Sequence, residues 1–433
     1  MDKLPEYESG IRFSSDSMDC GVPIAIDSRN FCIYKCAYCF TGNLSRNPER
    51  NKGSEKVSKE LSIKRLERFL ARDLPGYEAF YPLLEKRMPV QLGALSDPFD
   101  SKELEREWIK QAIPLFRKHG VPVRISTKGG NVLQRPEYLR LFENDPDMFW
   151  FAFSIICNDD DLIKKIDIKA PVTSERLKAM SLLTSLGAKA SLRFRPFLPG
   201  ISDTYPGGPK NAWAILLERA RDAGAQAVSF EYIFLDRNLS NTQKDYHKHM
   251  FKAMGFPYFY TELKAMSHPK EKAMRAHRTY KADMTFKIRK KAHELGMTFA
   301  VSDPHFKEWG DTMCCCGFPD TGDKWFSNFS RNQMTAVIVE AHRAYISGVP
   351  WRMTFNDWKP AWAENVKIGK CVDLGSWDRH LFKKHQTVSD TFRDKWNDPE
   401  HPRGPYIYFG KVLVPTGTDE ATGDLIYEYQ PWV

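Results

Sequence analysis

The sequence predicts an α/β protein built on a parallel sheet, and three observations lead there. Strand-like and helix-like segments alternate through residues 20–235. Several of the strands are continuous apolar runs, as strands buried on both faces are. The connecting helices are long enough to be the crossovers of βα units. At 433 residues, the chain has room for two or three structural units.

The elements follow in order. Val57–Leu74 has helical periodicity. Val90–Leu95 reads as a buried strand, Lys102–His119 as a helix stopped by Gly120, and Val123–Thr127 as a strand. Phe149–Cys157 (FWFAFSIIC) is the most apolar strand of the series. Thr173–Leu186 is a helix ended by Gly187. Lys189–Phe197 and Ala225–Ile233 are strands flanking the helix Asn211–Ala223, and Met297–Ser302 is strand-like. Beyond residue 323 the composition shifts to tryptophans: Trp325, Trp351, Trp358, Trp362, Trp377, Trp396 and Trp432. Tyr406–Val414 and Leu425–Tyr429 read as strands there. The expected division is 1–235, 236–310 and 311–433.

Nothing approaches eighteen consecutive apolar residues, which excludes a transmembrane span by hydropathy. The N-terminal residues lack the basic and apolar regions of a secretory signal, so a cytoplasmic protein is expected. Nine cysteines, an odd number, argue against a disulfide framework. Six of them fall in two clumps, the pattern of metal binding or redox chemistry.

The first clump is Cys32-Ile-Tyr-Lys-Cys36-Ala-Tyr-Cys39. Its spacing lets one loop aim three thiolates at one centre. With no fourth cysteine nearby, three local thiolates suggest a 4Fe–4S cluster with one iron left open. A distant fourth ligand would make the loop a zinc site instead. The motif, with Tyr38 before its last cysteine and Phe40 after it, resembles the signature of the radical S-adenosylmethionine (SAM) enzymes. In that family the open iron binds SAM, and its reductive cleavage yields a 5′-deoxyadenosyl radical. The resemblance implies a partial (βα)6 TIM-type barrel, with an aromatic-rich α+β accessory region at the C-terminus here.

In such barrels the chemistry lies at the C-terminal ends of the strands. Ser96-Asp97 follows the second strand, Ser126-Thr127-Lys128 closes the third, Ser154 lies in the fourth, and Arg193 and Arg195 close the fifth before Pro199-Gly200. This order is similar to the spore photoproduct lyase branch of the family. The resemblance covers about half the chain. It implies that Tyr38, Phe40, Ser96, Asp97, Ser126, Lys128, Ser154, Arg193 and Arg195 surround SAM. Asp97 can accept from its ammonium or ribose, Lys128 can meet its carboxylate, and the serines offer hydroxyls. An electron donor such as flavodoxin or ferredoxin is implied as well. That branch places a hydrogen-donating cysteine just before the Ser-Asp pair. Here the segment is Gly93-Ala94-Leu95, so thymine-dimer repair by that route is not expected.

The second clump is Cys314-Cys315-Cys316 before Gly317. Cys314 and Cys316, with Cys371, are candidate ligands of a second iron–sulfur cluster or of zinc. Alternatively, one of the three is a hydrogen donor, or all three are small core residues.

The net charge of +9 is local: residues 264–291 hold ten Lys/Arg and two acids. A basic helix over Lys270–Leu295 is expected, with Lys287, Arg289, Lys290 and Lys291 as candidate nucleic-acid contacts. Together these features point to a radical SAM enzyme that abstracts a hydrogen atom and modifies or rearranges a nucleic-acid base. The alternatives are a radical SAM enzyme acting on a peptide or small metabolite, and a non-catalytic metal-containing nucleic-acid-binding protein.

Overall fold

The computed structural model describes residues 4–14, 19–34, 36–39, 59–205, 207–236, 273–365, 387–401 and 403–432. The chain forms β1 (Ile11–Phe13), β2 (Ile24–Ile26), β3 (Val90–Leu92), β4 (Val123–Thr127), β5 (Phe149–Ser154), β6 (Lys189–Phe197) and β7 (Ala227–Tyr232). After a separate antiparallel pair, β8 (Phe234–Asp236) with β9 (Ala273–Arg275), comes β10 (Thr298–Val301). The main sheet has the order β1-β2-β3-β4-β5-β6-β7-β10. β1 pairs antiparallel with β2, and every other neighbour is parallel. Among the described residues no pairing joins β10 to β1, so the sheet is open. This is the expected partial TIM-type barrel, extended by one further parallel strand and an antiparallel edge.

Side chains alternate across each strand. On β4, Val123 and Ile125 lie in the apolar core while Arg124 bonds Ser126 on the opposite face. Gly93 ends β3 at a φ of +82°, where a Cβ would sit 2.6 Å from the Ser126 carbonyl. Only glycine fits both the backbone angle and the close approach.

Four expected elements differ by more than their end residues. The basic helix starts at Arg278 rather than Lys270, because Ala273–Arg275 form β9 and the His277 ring caps the helix by accepting from Thr279 N at 3.3 Å. The first helix is Ile63–Leu70, because the Ser62 hydroxyl caps it by accepting from Arg65 N at 3.3 Å. The start of the expected Val57–Leu74 helix lies outside the described residues. Lys102–His119 is two helices, Glu103–Arg106 and Trp108–Lys118, broken at Glu107 with φ 52°. The buried Glu103 carboxylate accepts from Ile109 N at 2.7 Å and so caps the second helix. The strand expected over Tyr406–Val414 is a helical turn, Pro405–Tyr408, followed by β12 (Leu413–Thr418). Proline at the first helical position favours the turn. Gly410 and Lys411, at φ 71° and 68°, then break the extended path. β12 pairs with β13 (Leu425–Tyr429), which also pairs with β11 (Arg352–Met353).

One contiguous apolar core runs from Ile11 to Tyr429. Trp358 and Trp396 stack at 5.3 Å within it, with Tyr427 edge-on to Trp396 at 4.9 Å. These tryptophans are packing residues. Trp377 and the segment 264–272 lie outside the described residues. The residues after β10 turn back onto the inner face of the sheet. Phe318 and Phe326 pack on Trp150 of β5 at 5.0 and 5.4 Å. A Cβ on Gly317 would sit 2.5 Å from the Ala227 side chain of β7.

Candidate active site

The cysteine loop follows β2 and is hung at two ends. Its first half is tied to the loop after β3. Arg29, fully buried, meets Asp100 at 3.1 Å and the Asp97 carbonyl at 3.2 Å. Ile33 N donates to Asp100 at 3.4 Å, and the Tyr34 hydroxyl donates to the Phe99 carbonyl at 2.9 Å. The second half meets the segment after helix Asp160–Ile166. Ala37 N donates to the Ile166 carbonyl at 2.9 Å, and Cys36 forms a β-bridge with Asp167.

Asp167 lies at the centre of a buried charge network. Arg176 meets it at 2.8 Å and Lys128 at 3.4 Å. Burial opposes the Asp167 charge, and the two cations more than offset it, holding its pKa down to about 2. The Lys128 ammonium also lies 3.0 Å from the Cys36 sulfur and 4.6 Å from the centre of the Tyr38 ring. Burial, then the Asp100 and Asp97 charges, push the Cys32 thiol up to about 12. Burial and Asp167 raise the Cys36 thiol well above its ordinary value, with Lys128 opposing.

The two loops that carry the Ser-Asp and Thr-Lys pairs are locked together by carboxylates. Asp27 accepts from Leu95 N and Ser96 N, both at 2.9 Å, and from the Ser96 hydroxyl at 3.1 Å. Arg12 meets its other oxygen at 2.6 Å. Asp97 accepts from the Thr127 hydroxyl at 2.8 Å, Phe99 N at 2.9 Å and Lys128 N at 2.6 Å. Burial still pushes its pKa up to about 6. The Ser126 hydroxyl takes a hydrogen bond from Arg124 at 2.6 Å, and the Ser154 hydroxyl takes one from Arg193 at 3.1 Å. Arg195 donates to the Cys315 carbonyl at 2.6 Å. The structure therefore brings Cys32, Cys36, Tyr38, Asp97 and Lys128 into one neighbourhood at the strand ends. Phe40 lies outside the described residues.

Cys314, Cys315 and Cys316 are all buried, on the inner face of the sheet. The neighbouring Cys314 side chain, then burial, push the Cys316 thiol up to about 11, with Cys315 opposing. Cys371 lies outside the described residues. Among the described residues, no three His, Cys, Asp or Glu side chains are gathered as a metal site. The chemistry of the first loop nevertheless fits a cluster. It offers three cysteines on one loop anchored at both ends, beside an ammonium that offsets thiolate charge.

The basic helix is Arg278–Glu294. Lys287 pairs with Asp283 at 2.7 Å, Arg289 with Asp311 at 3.3 Å and Lys291 with Glu218 at 2.6 Å. The helix runs antiparallel to the strands. Near its start, Tyr280 donates to Asp203, beyond β6, and Lys281 meets Asp303, beyond β10. Near its end, His293 and Phe299 N, at the start of β10, share Asp311. Lys287 to Lys291 therefore lie toward the N-terminal ends of the strands, away from the cysteine loop.

Sequence reasoning missed Arg29, Asp100, Asp167 and Arg176, whose partners are remote in the chain. It also missed Arg124. A charged residue inside an apolar strand was the signal that could have revealed it.

No protein-family model matches the chain, and no curated protein matches it. Among solved structures, the chain is similar to a spore photoproduct lyase mutant with bound AdoMet and dinucleoside spore photoproduct. The identity is 16% and the TM-score 0.48, over 67% of this chain and 78% of that one. It is similar to Streptococcus suis SuiB bound to precursor peptide SuiA, at 12% identity and a TM-score of 0.39 over 64% and 47% of the two chains. For a radical SAM methyltransferase from Sphaerobacter thermophilus the values are 14% and 0.34, over 54% and 64%.

Proposed function

We propose that this chain is a radical SAM enzyme of the photoproduct-lyase-like branch, and that its substrate is a nucleic-acid base that it modifies or rearranges. Cys32, Cys36 and Cys39 would hold a 4Fe–4S cluster. When bound, that cluster supplies the electron that cleaves SAM reductively, so that a hydrogen atom can be taken from a substrate C–H bond. The observation that carries the proposal is the placement of the Cys-x3-Cys-x2-Cys loop. It sits at the C-terminal ends of parallel strands, with the Lys128 ammonium 3.0 Å from Cys36.

The chain's own residues divide the work. Lys128 presents a cation beside the cysteine loop for SAM's carboxylate. Ser154 accepts from Arg193 and keeps its own proton to donate. Asp97 is a positioning residue, because its carboxylate fixes Thr127 and the Lys128 backbone. Asp27 does the same for Ser96. The buried Arg176–Asp167 pair fixes the far end of the cysteine loop.

Anaerobically reconstituted protein, mixed with SAM and a strong reductant, tests the proposal. 5′-Deoxyadenosine forms with the native protein and is lost in Cys36→Ala. Its absence from native protein that has taken up four irons overturns the reading. Second-site ligation by Cys314, Cys316 and Cys371 remains part of the proposal: a second iron–sulfur cluster there predicts about eight irons per chain rather than four, and zinc there predicts about four irons with bound zinc.

One observation favours a second substrate reading, a small metabolite. Three of the four cations expected to contact nucleic acid are paired with carboxylates, and their helix end lies away from the cysteine loop. Direct comparison of an oligonucleotide with a mononucleotide as substrate, followed by mass spectrometry, separates the two readings.

A further inference from the structure

Four cations converge on the inner face of the sheet: Arg124 of β4, Arg193 and Arg195 of β6, and Lys307 after β10. The hydrogen-bond partners of the three arginines are neutral. Arg124 donates to the Ser126 hydroxyl at 2.6 Å, Arg193 to the Ser154 hydroxyl at 3.1 Å and Arg195 to the Cys315 carbonyl at 2.6 Å. The Nε of each guanidinium is buried with no hydrogen-bond partner. Arg124 is 2% exposed and Arg195 9%. The facing carboxylates are Glu231, 4.0 Å from Arg195, and Asp19, which meets Lys307 at 2.8 Å. Among the described residues, two carboxylates thus face four cations. Burial, then Arg195 and Arg124, push the Arg193 pKa down to about 9.

Buried guanidiniums with unmet donors are costly unless an acceptor arrives. Arginine forks match the planar edge of a phosphate or a carboxylate. Cys314–Cys316 lies against this group, with the Cys315 carbonyl also taking the Ser229 hydroxyl at 2.6 Å. Arg193 is the partly exposed member and marks the open side. We propose that Arg124, Arg193 and Arg195 form the subsite for an oxyanion carried by the substrate, a phosphate or a carboxylate. The subsite rests on the proposed function only in calling its occupant the substrate. The subsite lies between Ser154, held by Arg193, and the Cys315 carbonyl, held by Arg195.

Calorimetry on the metal-free chain tests this without any turnover. The probes are inorganic phosphate, thymidine 5′-monophosphate, thymidine and malonate. Phosphate and the monophosphate are expected to bind where thymidine does not. Arg195→Gln and Arg193→Gln should each weaken that binding at least tenfold, with Arg195→Lys recovering part of it. Binding of malonate without phosphate supports a carboxylate-bearing substrate instead. Because Arg195→Gln alters a buried contact, thermal melting with and without phosphate is read in parallel. Phosphate should raise the melting temperature of the native chain and leave both Gln variants unmoved. No binding of either anion, or binding unchanged in the variants, overturns the proposal. A loss of SAM affinity in Arg193→Gln and Arg195→Gln, with anion binding intact, also overturns it, since the cations would then serve SAM. Failure of 5′-deoxyadenosine formation with anion binding retained counts against the enzyme reading alone.

Discussion

The ammonium of Lys128 lies 3.0 Å from the sulfur of Cys36. It shares Asp167 with Arg176, which holds that carboxylate at 2.8 Å. Lys128 can therefore be removed without leaving Asp167 unpaired. Lys128→Met is expected to fold, to take up iron through Cys32, Cys36 and Cys39, and to bind SAM about tenfold more weakly, a loss of about 1.4 kcal/mol. Equilibrium binding of SAM to the reconstituted variant checks this. Unchanged affinity at full iron content removes Lys128 from the SAM site.

The parts of the fold that local pattern controls were legible. β4 and β13 match their expected bounds because each is rich in β-branched or aromatic residues, and β6 because Ala190, Leu192 and Phe194 alternate with polar residues between turn glycines. The strand expected at Tyr406 failed because Tyr-Ile-Tyr-Phe has strand propensity whichever way Pro405 and Gly410 direct the backbone. In the site, cysteine spacing and the order of Ser96, Asp97, Lys128 and Ser154 pointed to strand ends, where the structure sets Lys128 beside Cys36 and ties Asp97 to the Lys128 backbone. The sequence did not show that Asp97 is spent on Thr127, Phe99 and Lys128. Nor did it show Asp167, because a buried pair linking Lys128 to a residue 39 positions away leaves no local trace. Composition likewise counted the charges on Lys287 to Lys291 without their partners, Asp311 and Glu218, which reach the helix from other parts of the chain.

Glu103 gives a pH dependence with a definite sign. Its carboxyl is buried, and burial pushes its pKa up to about 8 although Arg29 opposes the shift. Between the unfolded value of 4.5 and about 8, the native state holds a proton that the unfolded chain has lost. Stability therefore falls as pH rises through that window and levels off above it. Glu103→Gln removes the titration and keeps an oxygen to accept from Ile109 N. The melting temperature of the native chain should drop by several degrees relative to Glu103→Gln between pH 5 and 8. A constant difference across that range rejects the assignment.

Lys281 and Asp303 form an ion pair at 2.8 Å with both side chains fully buried. The pair joins helix Arg278–Glu294 to the end of β10. Burial opposes the charge of Asp303, while Lys281 and then His305 hold its pKa far below the ordinary range. Removing one partner of such a pair leaves a buried charge and costs about 3–5 kcal/mol, whereas replacing both with apolar residues is far milder. Lys281→Met should show the full loss in urea unfolding, and Lys281→Met with Asp303→Leu should recover most of it. Equal destabilisation of the single and double variants would show that packing, rather than charge, sets the cost.

Lys290 is the one cation among Lys287, Arg289, Lys290 and Lys291 for which the described residues show no carboxylate partner. That makes the nucleic-acid contribution of this helix quantitative. Each phosphate neutralised by a free cation adds about 0.9 to the slope of log affinity against log salt for duplex DNA, and about 0.7 for a single strand. Neutralising all four residues should lower that slope by about one, because Lys287, Arg289 and Lys291 are already spent on Asp283, Asp311 and Glu218. A titration of native and quadruple-variant protein with an oligonucleotide, repeated at several salt concentrations, measures the difference. A change of about four would mean that the ion pairs open onto DNA. No change at all would confine any nucleic-acid contact to other surfaces and leave the inner arginines as the sites for substrate charge.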